Sequence, residues 1–413
     1  LSINTSVTLT VTSSVTLNNL PASSSSCSIT GNGTLSCGSV NVGSNADPAT
    51  QNTTYTTTIS STLANFNITN NLTINSYTGV NDGRRNNSFF QLSSGVLTIL
   101  QQIITTNEKS VNISTFSMSS DPQTGILILS GPSPFSPSGT GTSNFSLDGV
   151  SSTVNYNRSG NQTVRPTTYT NLTLSGTLAK TTTGVTVNDT LSMEGTATAT
   201  ATPTFGTDAT LQYNTPAPRS TGPEWPATFN RTGGVVIRNT GTITLDASKT
   251  FSGSPLTILD GSSLSTGNNY SLSSPNSLNL YCGGASSGST ISGSGILTLG
   301  GNVTVTDAGH GTAGATISCL VALDATRIFT VADGGTDPAT DLTISGIVSG
   351  AYGVTKAGAG TMDLSGSNSF SGAVTINTGI LSVNTLAATG TNSALGTGST
   401  TPAISISGSG TLR

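Results

Sequence analysis

Residues 353–383 read GVTKAGAGTMDLSGSNSFSGAVTINTGILSV. The stretch holds short apolar-alternating runs, each cut off by Gly or by Asn with small residues. Val354, Met362, Leu364, Phe370, Val374, Ile376, Ile380, Leu381 and Val383 supply the apolar positions. Between them sit GAG, SGSN, SG and NTG. Alternation with period two marks strands with one inward face. Gly and Asn tolerate the left-handed conformations that sharp corners require. Strand, corner, strand, corner, strand is the plan of one coil of a solenoid.

Composition extends that reading along the chain. Charged residues are 7% of 413, against about 25% in ordinary soluble domains. Ser and Thr together number 138 and Asn 35, beside 49 Gly. Glu and Lys are rare and β-branched residues common, which favours strands joined by turns over helices. A compact globule of this length splits into domains. A solenoid need not, because each coil packs only on its neighbours. The prediction is an all-β, parallel β-helix with essentially no α-helix. At roughly 20 residues per coil and a rise of about 4.8 Å, it has about 20 coils and a length on the order of 100 Å. The net charge of −4 is small and spread out, and no basic run exceeds Arg84-Arg85. Nucleic acid is therefore not an expected partner. No run of about 18 apolar residues spans a membrane as a helix. The first residue is Leu1 rather than Met, which points to a removed signal peptide or to a fragment.

Taken in order, residues 1–20 alternate from the start, with Ile3, Val7, Leu9, Val11, Val15 and Leu17 on one face. Residues 25–43 read as two strands around Gly31-Asn32-Gly33. Further strands are expected near 61–76 and 86–100. Residues 96–110, VLTILQQIITTNEKS, lack Gly and are the best helix candidate, but their β-branched content predicts two strands. Pro132, Pro134 and Pro137 predict a loop. From about 149 a repeat with a 57-residue offset is visible: Thr153-Val154-Asn155-Tyr156-Asn157 corresponds to Thr210-Leu211-Gln212-Tyr213-Asn214. Each copy is followed by a polar loop and then by strands. The domain reading is 1–148 as the first coils, with a separate β-sandwich as the alternative, and 149–413 as solenoid.

The opening stretch closely resembles the autotransporter-associated β-strand repeat (passenger-associated transport repeat) of secreted bacterial proteins. The matching residues are Thr355-Lys356, Gly358, Gly360-Thr361, Leu364-Ser365-Gly366, Asn368, Phe370, Gly372, Thr375, Gly379 and Leu381. The resemblance implies a right-handed parallel β-helix on a cell surface. It implies no reaction.

Candidate sites are few. Cys27, Cys37, Cys282 and Cys319 form two sequence-local pairs, so disulfides Cys27–Cys37 and Cys282–Cys319 are expected in a secreted chain, with free buried thiols as the alternative. A zinc site is not expected, because there is no CxxC and His310 is the single histidine. Asp333, Asp337 and Asp341 form the closest acidic cluster, a weak calcium candidate. Asp in a Gly/Pro-rich loop more often caps a turn, and Asp341, just before LTIS, is placed to close a corner. His310 beside Asp307 lacks a nucleophile motif and reads as a loop histidine. Trp225, in PEWP with Glu224, is either a sugar-stacking residue or, as the repeat suggests, a plug that holds a protruding loop. Fifteen Asn-x-Ser/Thr sequons include Asn4, Asn32, Asn52, Asn67, Asn71, Asn112, Asn171 and Asn302, candidates for glycosylation. No catalytic residue and no cofactor are expected.

The first functional expectation is structural: an extracellular solenoid subunit of a surface fibre, sheath or layer. Its subunits join head to tail through Ile3, Val7, Leu9 and Val11 at one end and Ile404, Ile406 and Leu412 at the other. The partner is then a further copy, with glycans or a host or cell surface as further partners. The alternative is an adhesin passenger cut from a longer precursor. The third is a carbohydrate-active β-helix.

Overall fold

The computed structural model describes residues 1–17, 25–44, 54–76, 85–107, 110–118, 124–239, 241–283, 287–309, 311–334, 340–398 and 404–413. Among them there is no helix, and the strands stack in parallel, coil upon coil, as a β-solenoid. The chain divides into two compact units, Leu1–Ser192 with Ala197–Gly206, and Met193–Thr196 with Thr207–Arg413.

In the first unit the strands Thr8–Leu17, Thr34–Ser44, Asn65–Ile68, Val96–Ile99, Ile126–Leu129, Thr153–Tyr156 and Thr168–Leu174 follow one another across a parallel sheet. Their register aligns Leu9, Leu35, Phe66, Leu97, Leu127, Val154 and Leu172 in one column. From Leu35 onward every member is buried. A second sheet, Ser25–Ile29, Thr54–Ser61, Arg85–Leu92, Ile113–Ser117 and Thr142–Ser146, aligns Cys27, Ile59, Phe90, Phe116 and Phe145. The rings of Phe90 and Phe116 stack with centroids 5.8 Å apart. Full burial of one such side chain contributes about 2 kcal/mol, so a column summed over coils supplies most of the cohesion.

The second unit repeats the device. Strands Thr210–Asn214, Gly234–Arg238, Leu256–Ile258, Ser277–Cys282, Asn302–Asp307, Arg327–Val331, Val354–Ala357, Val374–Val383 and Ile404–Leu412 align Leu211, Val235, Leu256, Leu278, Val303, Phe329, Lys356, Ile376 and Ile406. A lysine thus stands inside an otherwise apolar column.

Coil length varies around the roughly 20 residues of the sequence reading. Residues hydrogen-bonded in adjacent coils lie 18 apart in sequence at Lys180 and Gln162 and 20 apart at Asn368 and Val348. The gap is 22 at Asn279 and Thr257 and 31 at Asn67 and Ser36. Stacking fixes the strands in register and leaves the corner loops free in length. Within 96–110 the described residues form two strands, Val96–Ile99 and Ile103–Asn107, as their β-branched content predicts. The loop expected from three prolines is overturned at its last member. Pro137 lies within the strand Phe135–Gly139, paired with Thr105. That strand pairs with Ile103–Asn107, and a strand bonded along one edge tolerates a residue without an N–H.

Candidate functional site

The stretch 353–383 holds two short strands of one coil and the long strand of the next. Val354–Ala357 and Thr361–Leu364 are separated by the corner Gly358-Ala359-Gly360, and both lie against the next coil's Val374–Val383. Val354 pairs with Val374, and Met362 with Leu381. Met362, Leu364, Phe370, Ile376 and Leu381 are buried, on the alternate positions that the sequence assigns to the interior.

Three polar side chains hold the corners, and all are buried. Lys356 is wholly enclosed; its Nζ donates to the carbonyls of Ala357 at 2.9 Å, Gly358 at 2.8 Å and Thr378 at 3.3 Å. Burial lowers its ammonium to about 8, partly countered by the charge of Asp341. Gly379 makes this possible: its φ is +70°, and a Cβ there would sit 2.3 Å from the Gly358 oxygen and 2.8 Å from Lys356 Nζ. Asp341 accepts from the backbone N–H of Gly334 at 2.8 Å and of Thr361 at 2.7 Å, one on each carboxylate oxygen. Asn368 accepts from the Val348 N–H in the preceding coil at 2.7 Å and donates to the Ala394 carbonyl at 2.7 Å.

The same use of lysine recurs. The chain has four lysines, and Lys180, Lys249 and Lys356 are all buried. Lys180 Nζ donates to the Arg158 carbonyl at 2.7 Å and to Gln162 Oε1 at 3.2 Å. Burial, with the Arg158 charge, lowers its ammonium to about 8. Lys249 Nζ donates to the Trp225 carbonyl at 2.7 Å and pairs with Asp246 at 2.9 Å. The sequence reading missed these residues as a group. The available signal was phase: Lys356 lies two residues after Val354, and Lys249 two before Phe251, both inward positions.

The 57-residue repeat has a structural counterpart. Tyr156 and Tyr213 are buried at matching strand positions, and each hydroxyl binds the loop that follows. Tyr156 shares a 2.8 Å hydrogen bond with Tyr169 and accepts from the Arg165 N–H at 3.1 Å. Tyr213 donates to Glu224 Oε1 at 3.0 Å, with Arg219 at 3.7 Å from the same oxygen. Burial raises the Glu224 carboxyl above its usual range, and Arg219 opposes the rise. Trp225 is 1% exposed, its ring edge-on to Phe251 at 5.9 Å. It plugs the loop and offers no face for stacking a sugar.

The cysteines correct the sequence reading. All four are free thiols. Cys27 aligns with Ile59 in one sheet and Cys37 with Ile68 in the other, so adjacency in sequence is not adjacency of side chains. Cys282 ends the strand Ser277–Cys282, whereas Cys319 precedes Leu320–Leu323 in a different sheet. Burial pushes the Cys37 thiol up to about 11 and those of Cys282 and Cys319 to about 12.

The calcium candidate is not assembled among the described residues. Both Asp341 oxygens are committed to backbone N–H groups, Asp333 is exposed, and Asp337 lies outside the described residues, as do His310 and Asn52. No group of three His, Cys, Asp or Glu side chains among the described residues is placed to hold a metal. Of the glycosylation candidates, Asn4 and Asn32 are exposed, and Asn67, Asn71 and Asn171 half-buried. Asn112 is corrected: it is wholly buried and donates to the Ser76 carbonyl at 2.9 Å, so the folded chain offers it to no glycan. Of the assembly candidates, Val7, Leu9, Ile404 and Ile406 are exposed, and Val11 and Leu412 half-buried. Ile3 is corrected as well: it packs in the core, its backbone tied to Thr30 and Gly33. No described helix is long and apolar enough to cross a membrane.

Residues 354–383 match the family model described as passenger-associated-transport-repeat. No curated protein and no solved structure matches the chain.

Proposed function

We propose that this chain is a passenger-type β-solenoid, exported to the cell exterior, whose role is structural and adhesive rather than catalytic. One observation carries the reading: the segment that matches the transport repeat stacks one coil on the start of the next, and its strands lie in register with the coil before it and the coil after it. The low charge fits, since a surface of neutral Ser, Thr and Asn needs no ion pairs to stay folded. Expression of the complete gene tests it. Residues 1–413 should be cleaved from intact cells by added protease, and reading past the codon for Arg413 should reveal more solenoid and a β-barrel. A chain protected from protease until the cells are lysed would overturn the proposal.

A second reading, head-to-tail fibre assembly, draws on the exposed side chains of Val7, Leu9, Ile404 and Ile406. It ranks below the first because the repeat match bears on export and not on self-association. Sedimentation velocity separates the two. The passenger reading expects a monomer, whereas the fibre reading expects polymers that Val7→Asp and Ile406→Asp abolish.

A further inference from the structure

Outside the repeat coil, one groove of about 410 Å³ gathers charge that the fold uses only in part. Its lining comes from the same edge of four successive coils. Arg238 and Asn239 end the first, Asp260 follows the strand of the second, Tyr281 belongs to the third and Asp307 ends the fourth. Register places them together: Ile237 pairs with Ile258, Leu256 with Leu278, and Tyr281 with Thr306. At the spacing of parallel strands the edge extends about 14 Å.

The partners of these groups are incomplete. Arg238 is exposed, and among the described residues no ion pair joins it to Asp260 or Asp307. Asp260 Oδ1 is buried yet has no hydrogen-bond partner. A desolvated carboxylate oxygen without a donor costs free energy that a bound hydroxyl would recover. Asp307 is partly satisfied, accepting from the Gly309 N–H at 2.7 Å. Tyr281 alternates with the inward Leu280 and Cys282, so its ring faces the groove side. Asn239 holds a left-handed φ of 75° at the mouth, a conformation that non-glycine residues adopt at a cost of about 1–3 kcal/mol and that clusters at ligand sites.

We propose that this groove binds a neutral saccharide. The donor set selects the class. Two carboxylates disfavour an anion, and the Arg238 guanidinium beside them disfavours a cation. Neutral hydroxyls satisfy both kinds of group at once: they donate to Asp260 and accept from Arg238. The carbon–hydrogen face of a pyranose ring matches the apolar face of Tyr281. The volume lies within the range of small-ligand sites.

The inference does not rest on the passenger reading, and its test is made on the purified full chain. Saturation-transfer NMR and calorimetry are run with cellobiose, with chitobiose and with digalacturonate as an acidic control. Saturation should reach one or both neutral disaccharides, and digalacturonate should bind more weakly. Tyr281→Ala and Arg238→Ala should each weaken binding about tenfold. Both side chains face outward, so circular dichroism should match the parent protein. The proposal is overturned by an absence of transfer to either neutral disaccharide, by tighter binding of digalacturonate, or by wild-type affinity in both variants.

Discussion

Replacing Asn368 tests how the coils are fastened. Its amide is wholly buried and bridges coils on both sides, accepting from Val348 and donating to Ala394. In Asn368→Ala two buried backbone groups, the Val348 N–H and the Ala394 carbonyl, lose their partners. Each costs about 1–3 kcal/mol, so the loss should be about 2–6 kcal/mol. Asn368→Asp refines the argument. Its carboxylate keeps the Val348 bond but turns a negative oxygen towards the Ala394 carbonyl, so burial and repulsion raise its pKa above the unfolded value of about 3.9. Below that value both states are protonated, the acid hydroxyl donates to Ala394, and the variant should approach wild type. As pH rises, the unfolded chain ionises while the fold retains its proton, and stability falls by up to about 1.4 kcal/mol per pH unit until the folded pKa is passed. Urea unfolding at pH 3, 5 and 7, with hydrogen exchange at 346–350 and 392–397, reads both effects. Asn384→Ala is the control: its side chain is exposed and donates to the Ser365 carbonyl at 3.0 Å, so its loss should stay below about 0.5 kcal/mol. If Asn368→Ala lost no more than that control, with exchange unchanged, the bridging argument would fail.

The remaining predictions concern the thiols, one glycine and one lysine. Native protein should react with a thiol reagent at the half-exposed Cys27 alone, and at Cys37, Cys282 and Cys319 only after unfolding. A reductant should leave the unfolding midpoint unchanged, and a drop would reinstate a disulfide. Gly379→Ala should lower stability by at least about 2 kcal/mol, because the residue is left-handed and a Cβ meets the Gly358 oxygen. A denaturant midpoint equal to the parent's would refute this. Lys356 ionises at about 8 in the fold and about 10.4 unfolded, so between those values the unfolded state binds more protons. Its contribution is fully present above 10.4 and is lost as pH falls through 8. Relative to Lys356→Met, the parent should therefore gain up to about 3 kcal/mol across that window, and a pH-independent difference would refute the assignment.

The strands were legible because solenoid columns obey the simplest pattern a sequence can carry. Alternation placed Met362, Leu364, Ile376 and Leu381 inside, and β-branched content divided 96–110 correctly into two strands. The corner role of Asp341 was legible too, from its place before an apolar run. What failed was geometry between strands that sequence spacing does not encode. Cys27 and Cys37 are ten residues apart with a turn between them, yet coil geometry sends them to different sheets. Asn112 carries a sequon and lies in the core, because a sequon reports three residue types and no exposure. Pro137 was read as a breaker, although a strand bonded on one edge accommodates it. Coil length was unreadable for the same reason: stacking constrains strands, while corner loops vary without disturbing register.

The lysines show how the fold uses part of its scarce charge. In a chain so poor in charge, several of the described charged and amide groups are consumed internally. Lys180, Lys249 and Lys356 stand at inward positions, where their stems pack with apolar neighbours and their ammonium groups close corner carbonyls. Asp341 accepts from backbone N–H groups, and the neutral Asn368 both accepts from one and donates to a carbonyl. Each of these side chains does at a corner what a helix cap does at a helix end: it satisfies main-chain groups that the sheet ladder leaves out. Arg238 and Asp260 do not follow that rule. They lie on the outer edge of adjacent coils without pairing, beside an outward tyrosine and a left-handed asparagine. Asp148, Asp189 and Asp208 are exposed as well; what sets Arg238 and Asp260 apart is that they line one concave place with unused polar capacity, which is what a ligand site requires.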